Sequence, residues 1–145
     1  MEARHNGHFR KLLVGYDGSP ESERALETAL ALAQSLGSTV LVLSVARPPE
    51  PATSPEVHAV IDEAREYYEK ALANIRARAL ENGLQVETAF AVGHPAQQII
   101  HTAEQDHVDL ILVGQRGISG VQRIFLGSVS EQVLHQAPCP VMVTR

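Results

Sequence analysis

Short apolar runs that alternate with longer helix-like stretches are the feature that most constrains the fold of this chain. The second run, TVLVLSV, is β-branched and almost entirely apolar, as expected of a strand buried on both faces. Strands that alternate with helices in this way form a parallel sheet with helices on both faces. The predicted strands are 12–14, 39–45, 86–92, 110–113 and 141–144, and the predicted helices are 21–36, 56–82, 96–105 and 129–136.

Residues that typically begin and end helices support these boundaries. Ser19 suits the N-cap of the first helix and Pro20 suits its first position, while Gly37 suits the residue that follows it. Gly83 has the corresponding place after the long second helix. The segment ARPPEPATSP, residues 46–55, holds four prolines, which exclude a regular helix or strand and predict a surface loop.

Length and composition exclude several classes of protein. With 145 residues the chain is expected to form one domain over residues 1–145, with a flexible start at 1–8. The net charge of −5 argues against a nucleic-acid partner. No apolar stretch approaches the roughly 20 residues of a membrane span, and the first ten residues lack the apolar core of a signal peptide. A single cysteine cannot form an internal disulfide, so we expect a cytoplasmic protein without a membrane partner.

Two glycine-rich loops follow the first and fourth predicted strands, namely GYDGS at 15–19 and GQRG at 114–117. In open parallel sheets, ligands bind beyond the carboxyl ends of the strands where the direction of winding reverses. If the strands are wound 3-2-1 and then restart with 4-5, these two loops flank the reversal. Glycines let a backbone approach a ligand closely, so the coincidence indicates a binding site.

The second of these loops continues to a segment that can bind an anion. Residues 127–130, GSVS, come where the last helix begins, and helix N-termini attract phosphate through their N–H groups and dipole. Arg116 and Arg123 lie inside the loop and could add charge-assisted contacts. The stretch is neither a Walker A loop, since the lysine is absent, nor a G-x-G-x-x-G dinucleotide motif.

The same residues also have explanations that need no ligand. Ser128 and Glu131 form an S-x-x-E capping box, and Gly117 and Gly120 could simply be turn residues. Spacing alone supports a phosphate site and a plain connection about equally. Asp17 could accept hydrogen bonds from ribose or hold hydrated magnesium, but aspartate is also common in turns such as YDGS, and the turn interpretation is slightly favoured.

Other reactive residue types give no clear site. The seven histidines show no ligand spacing with a second histidine, cysteine or carboxylate, so no transition-metal site is predicted. Cys139 lies between Pro138 and Pro140 and is predicted to be a small buried apolar residue rather than a nucleophile. Tyr67 and Tyr68 are predicted to pack along the long helix rather than to form a stacking platform.

The chain resembles the ATP-binding branch of the universal stress proteins. The spacing of Gly114, Gly117 and Gly127-Ser128 fits the G-x2-G-x9-G-[ST] signature of that branch. KLLVGYDGSPES, VGHP and GSVSEQVLHQAPCPVMV are similar to the family as well, and the resemblance covers roughly residues 9–144. It implies a Rossmann-like fold of the adenine nucleotide alpha hydrolase type, with a five-stranded parallel sheet in the order 3-2-1-4-5.

The resemblance also implies a set of nucleotide-binding residues. Asp17 would lie near the ribose and Val45 would meet the adenine. The segment 127–130 would cradle the phosphates. The full implied set is Gly15, Asp17, Val45, Ala46, Gly114, Arg116, Gly117, Gly127, Ser128, Val129 and Ser130, in which Gly15 and Ala46 are weaker candidates and the role of Arg116 is open because its position varies in the family.

The resemblance, together with the absence of recognisable catalytic residues from the motifs, indicates a function. The implied ligand is ATP with Mg²⁺, and the implied assembly is a homodimer through the edge strand Val141–Thr144. The leading hypothesis is a nucleotide-dependent sensor or switch in the stress response that acts on an unknown protein partner. No catalytic residue is predicted, because no Walker lysine and no residue that orients an attacking water is identifiable. A slow Mg-dependent ATPase or phosphotransferase, and a structural interaction protein without turnover, stay open as alternatives.

Overall fold

The computed structural model describes residues 9–51, 55–115 and 127–145. The strands are β1 (Lys11–Gly15), β2 (Thr39–Ala46), β3 (Val86–Val92), β4 (Leu110–Gly114) and β5 (Val141–Thr144), and the helices are α1 (Pro20–Leu36), α2 (Val57–Glu81), α3 (Pro95–Gln105) and α4 (Ser128–Gln136). Every predicted element is present, and no boundary differs from its predicted position by more than one residue. The predicted flexible start at 1–8 and residues 52–54 of the predicted proline-rich loop lie outside the described residues.

The sheet is entirely parallel and confirms the predicted strand order. The order is β3-β2-β1-β4-β5, so the winding reverses between β1 and β4. Gly15 at the end of β1 is in register with Leu43 of β2, and Val14 is in register with Leu112 of β4. The carboxyl ends of the three central strands therefore meet at one edge of the sheet, where loops at a reversal leave a crevice.

Both faces of the sheet are covered by helices, which explains the nearly continuous apolar runs in the central strands. Leu12 and Val14 of β1 pack in one core with α1 and α2, whereas Leu13 belongs to a second core with α3 and α4. Leu12, Leu13 and Val14 are all fully buried. Among the helices in the described ranges, none combines the length and the apolar character needed to cross a membrane.

The predicted caps of α1 are present. Ser19 is the N-cap and its side-chain oxygen accepts a hydrogen bond of 3.1 Å from the backbone N–H of Ser22. Gly37 ends the helix in the left-handed conformation, with φ of +72°, and its N–H bonds the carbonyl of Ala33 at 2.9 Å. These caps fix the start of α1 directly after the β1 loop, which brings the first turn of the helix to the sheet edge.

The first turn of α1 lies in direct contact with the end of β4. A β-carbon added to Gly114 would lie 2.6 Å from the carbonyl carbon of Glu21 and 2.7 Å from the backbone nitrogen of Ser22. The hydroxyl of Thr144 in β5 donates a hydrogen bond of 2.9 Å to the Glu21 carbonyl. Glycine at 114 is therefore required by the packing of β4 against α1, independently of any ligand.

Replacing Gly114 by alanine tests this contact. Gly114→Ala should lower the free energy of unfolding by about 2 kcal/mol, because the new methyl group meets main-chain atoms that cannot move separately. Gly15→Ala is the matched control, since its methyl group would meet only side-chain ends, at 3.0 Å from Ile99 Cδ1 and 3.3 Å from Val113 Cγ1. We expect the control to cost less than about 1 kcal/mol in urea unfolding. Equal costs for the two variants would contradict the assignment.

Candidate functional site

A cleft opens at the carboxyl ends of the central strands, at the point where the winding reverses. Its volume is about 550 Å³, which lies within the range of roughly 300–1,000 Å³ found for small-molecule pockets. Strand ends form its floor, and helix starts form much of its walls. The lining residues are Gly15, Tyr16, Asp17, Ser19, Ser22, Leu43, Val45, Arg47, Tyr68, Pro95, Ile99, Val113, Gly114, Gly127, Ser128, Val129 and Ser130.

The cleft brings together most of the residues singled out from the sequence. Gly15, Asp17, Val45, Gly114, Gly127, Ser128, Val129 and Ser130 all line it. Ala46 does not: it is buried, and its carbonyl accepts a hydrogen bond of 2.9 Å from the N–H of Gly93. Arg116 and Gly117, together with Gly120 and Arg123, lie outside the described residues.

Asp17 serves the turn after β1 and also faces the cleft. Its Oδ1 accepts a hydrogen bond of 2.9 Å from the N–H of Ser19, which is the turn interaction expected of this residue type. Its own N–H donates to the hydroxyl of Ser22 at 3.3 Å, and the hydroxyl of Tyr68 donates to its carbonyl at 3.5 Å. The turn therefore fixes the carboxylate at the wall of the cleft, so the two interpretations of Asp17 are compatible.

The start of α4 differs from the predicted capping box. The N-cap is Gly127, with φ of −68° and ψ of 160°, and no side chain in the described residues caps the helix. The first helical hydrogen bond runs from the N–H of Glu131 to the carbonyl of Gly127 at 2.9 Å, and the hydroxyl of Ser130 donates to the same carbonyl at 3.1 Å. Ser128 is thus the first helical residue rather than the cap, and the capping-box prediction is wrong.

This helix start is suited to an anion. The N–H groups of Ser128, Val129 and Ser130 precede the first helical hydrogen bond, so the helix itself does not satisfy them. All three residues line the cleft. The helix dipole adds partial positive charge at the same place. Ser128 is exposed and offers a hydroxyl as well, whereas the hydroxyl of Ser130 is already used in the hydrogen bond to Gly127.

The opposite part of the cleft is apolar. Leu43 and Val45 of β2 pack in the core shared with α3 and α4, and Ile99 of α3 belongs to the same core. Pro95, the first residue of α3, adds a further apolar wall. The cleft therefore offers hydrogen-bond donors at one end, a carboxylate in the middle and an apolar surface at the other end.

Gly15 lies close to a neighbouring helix, but unlike Gly114 it meets only side-chain atoms there. A β-carbon at Gly15 would lie 3.0 Å from Ile99 Cδ1, so the glycine lets α3 pack against the end of β1. Gly18 differs, because its φ of +84° is required by the turn itself. Gly15 lines the cleft, as expected of the loop after β1, and its close approach to Ile99 is the packing contact that an added side chain would disturb.

Three larger cleft residues were not predicted as site residues. Tyr16 donates its hydroxyl to the carboxylate of Glu23, and burial together with this hydrogen bond raises the pKa of Tyr16 well above its ordinary range, which keeps the phenol neutral. Tyr68, predicted only as a packing residue, does pack near Phe90 with ring centroids 6.0 Å apart, but it also lines the cleft. Arg47 follows β2 and was not singled out.

No histidine or cysteine is among the described residues that line the cleft. Within the described ranges, no group of three or more His, Cys, Asp or Glu residues could hold a metal ion. Cys139 packs against the core shared with α3 and α4, where burial and the nearby Asp109 carboxylate raise the pKa of its thiol. A raised pKa leaves little thiolate at neutral pH, in agreement with an inert, partly buried residue.

Comparison with known proteins identifies the family. The family model described as "Universal stress protein family" matches residues 8–145. The chain belongs to the universal stress protein family. Universal stress protein YxiE of Bacillus subtilis is 40% identical over 147 residues, which covers 94% of this chain and 99% of YxiE. The structure of universal stress protein UspA from Lactobacillus plantarum has a TM-score of 0.86 and 26% identity, over 97% of this chain and all of that protein.

Two structural neighbours in the universal stress protein family have been solved with adenine nucleotides. The Archaeoglobus fulgidus protein in complex with dAMP has a TM-score of 0.68 and 25% identity, over 96% of this chain and 100% of its own. The Arabidopsis thaliana protein with AMP bound has a TM-score of 0.67 and 25% identity, over 92% of this chain and 90% of its own. Both ligands contain adenine, a sugar and one phosphate.

The chemistry of Cys139 can be tested by alkylation. Because the pKa of its thiol is raised and the side chain is partly buried, native protein at pH 7.5 should react with iodoacetamide at least about tenfold more slowly than protein unfolded in urea. The rate should rise as the pH passes above the ordinary cysteine range, since the thiolate is the reactive form. Mass spectrometry of timed samples measures both rates, and equal rates at pH 7.5 would contradict the assignment.

Proposed function

We propose that this universal stress protein binds ATP in the cleft at the end of β1 and β4 and acts as a nucleotide-dependent switch in the cytoplasm. The observation that carries the proposal is the order of chemical groups along the cleft. A helix start without a side-chain cap among the described residues, a carboxylate fixed in a turn and an apolar pocket follow one another in the order in which phosphate, ribose and adenine would need them. The adenine nucleotides bound by two structural neighbours support the same ligand class.

The phosphates are assigned to the start of α4. Backbone N–H groups of Ser128, Val129 and Ser130 would donate to phosphate oxygens, and the helix dipole would favour the negative charge. Gly127 itself has an extended conformation just before the helix. Arg116 and Gly117 are assigned to the same part of the nucleotide from the signature spacing alone, which is also what favours ATP over AMP.

The ribose and the base are assigned to the remaining two parts of the cleft. The Asp17 carboxylate would accept hydrogen bonds from the ribose hydroxyls, since its orientation is already fixed by the Ser19 N–H. Adenine is flat and largely apolar, so it would occupy the pocket formed by Leu43, Val45 and Ile99. Ala46 would contribute only through its strand backbone, because its side chain is buried away from the cleft.

Mg²⁺ fits this site as an ion bound jointly by the phosphates and the protein, rather than by the protein alone. Asp17 is the one carboxylate among the described lining residues, and Mg²⁺ commonly binds through one carboxylate together with phosphate oxygens and water. When bound, the ion would neutralise part of the triphosphate charge. With its phosphates on α4 and its base on β2, one nucleotide would contact elements on both sides of the winding reversal, and this bridging contact is the proposed switch.

Filling the apolar pocket tests the proposed site. Val45→Trp should reduce the affinity for Mg-ATP at least about tenfold, because the indole would occupy the space assigned to adenine. Val92→Trp is the matched control: Val92 also lies at a strand end, at the sheet edge, but is outside the cleft lining and partly exposed. Isothermal titration calorimetry on both folded variants gives the affinities. Wild-type affinity in Val45→Trp would exclude this pocket as the binding site.

The outer edge of β5 is the proposed dimer interface, since β5 is the last strand of the sheet and no other strand of the described residues pairs with this edge. The carbonyls of Pro140 and Thr144 accept hydrogen bonds from β4, at 3.0 Å from the N–H of Ile111 and 2.6 Å from that of Gln115. Because backbone polar groups alternate between the two sides of a strand, those of Val141 and Val143 face the outer edge. An open edge of this kind pairs readily with a second copy across a two-fold axis.

Proline at position 143 tests this interface. Val143→Pro removes an outward-facing N–H while leaving the hydrogen bonds to β4, so the homodimer should dissociate at least about tenfold more readily. Val143→Ala is the control, because it loses the same side-chain packing but keeps the N–H. Sedimentation equilibrium measures the dissociation constants. A proline variant as dimeric as the alanine variant, or a monomeric wild type, would contradict the proposal.

A further inference from the structure

Arg47 is a charged cleft residue that the proposed nucleotide contacts do not use. It directly follows Ala46, the last residue of β2, and lines the cleft. Side chains two residues apart along a strand point to the same face, so Arg47 lies on the same side of the sheet as Val45. Arg47 therefore lies at the rim of the apolar pocket, two residues further along the chain than Val45.

His94 holds the guanidinium of Arg47 at this rim. The Nη2 atom of Arg47 lies 3.2 Å from Nδ1 of His94, which is the N-cap residue of α3. A guanidinium is always a donor, so Nδ1 of His94 is the acceptor in this hydrogen bond. Pro95, the next residue, lines the cleft, which places the pair beside the pocket wall.

The position of Arg47 favours a contact with the base over a contact with the phosphates. β1 stands between β2 and β4, so the end of β2 is about 10 Å from the end of β4 at the usual strand spacing of about 4.8 Å. The phosphate-binding segment follows β4. A planar guanidinium at the rim of this pocket can stack on an aromatic base, and cation–π attraction adds to the contact.

We propose that Arg47, positioned by His94, covers the face of the bound nucleobase and sets the affinity of the cleft for adenine-containing ligands. This inference rests on the proposed function, because it needs a base in the pocket of Leu43, Val45 and Ile99. It adds a base-contacting residue at the rim of the pocket, beyond the residues that form its walls.

Binding of adenosine and ATP to Arg47 variants tests this role, because adenosine has the base but no phosphate. Arg47→Ala should weaken both ligands by about threefold to tenfold, and by the same factor. Arg47→Lys should weaken the binding of both ligands as well, since lysine keeps the charge but lacks the planar guanidinium group. Arg76→Ala is the matched control, an exposed arginine that also contacts a side chain, Thr88, but lies outside the cleft.

The outcomes separate a base contact from a phosphate contact and from failure of the site itself. An ATP affinity that falls while the adenosine affinity does not would overturn the inference and leave the proposed function standing. ATP binding without any adenosine binding at millimolar concentration would overturn it too. If the wild type binds neither ligand, the proposed function fails and the inference fails with it.

The positioning role of His94 has its own readout. His94→Ala should weaken adenosine binding in the same direction as Arg47→Ala but by a smaller factor, because the arginine would remain but would lose its partner. In the Arg47→Ala background, His94→Ala should have no further effect on adenosine affinity. Equal effects of His94→Ala in both backgrounds would show that His94 acts independently of Arg47.

Discussion

The contact between the first turn of α1 and the end of β4 is the constraint on which the cleft depends. Gly114 leaves room for the backbone of Glu21 and Ser22, and Thr144 of β5 bonds the Glu21 carbonyl. The same turn of the helix bonds the β1 loop, because the Ser22 hydroxyl accepts from the N–H of Asp17. One helical turn thus holds the ends of three strands in register with one another, and the cleft lies above them.

The fold could be predicted closely from the sequence, and the reason is physical. Parallel strands buried on both faces give apolar runs, such as Leu12–Val14, that stand out from the periodic helices between them. The caps Ser19 and Gly37 mark their helix ends through local interactions. The start of α4 was predicted less well, since S-x-x-E looks the same whether Ser128 is the cap or the first helical residue. Only the backbone angles of Gly127 separate the two.

The site was predicted only where local sequence determines it. Asp17 follows a strand, Val45 lies at the end of one and the segment 127–130 begins a helix, so their position at the sheet edge follows from the topology. At the cleft, Arg47 contacts His94, which is 47 residues away in the chain, and Tyr68 contacts Asp17, which is 51 residues away. No local sequence pattern predicts such contacts. Gly114 illustrates a further limit, because a glycine at a binding loop can be required by helix packing alone.

In the proposed site, one cleft binds phosphate at α4 and adenine at β2. Two-dimensional amide NMR during a titration with Mg-ATP tests it directly, because each backbone N–H reports its own surroundings. We expect the largest saturable shifts at Ser128, Val129 and Ser130, at Asp17 and at Val45, and we expect AMP to shift the same set of residues. Saturable shifts confined to other residues, or no shifts at millimolar Mg-ATP, would contradict it.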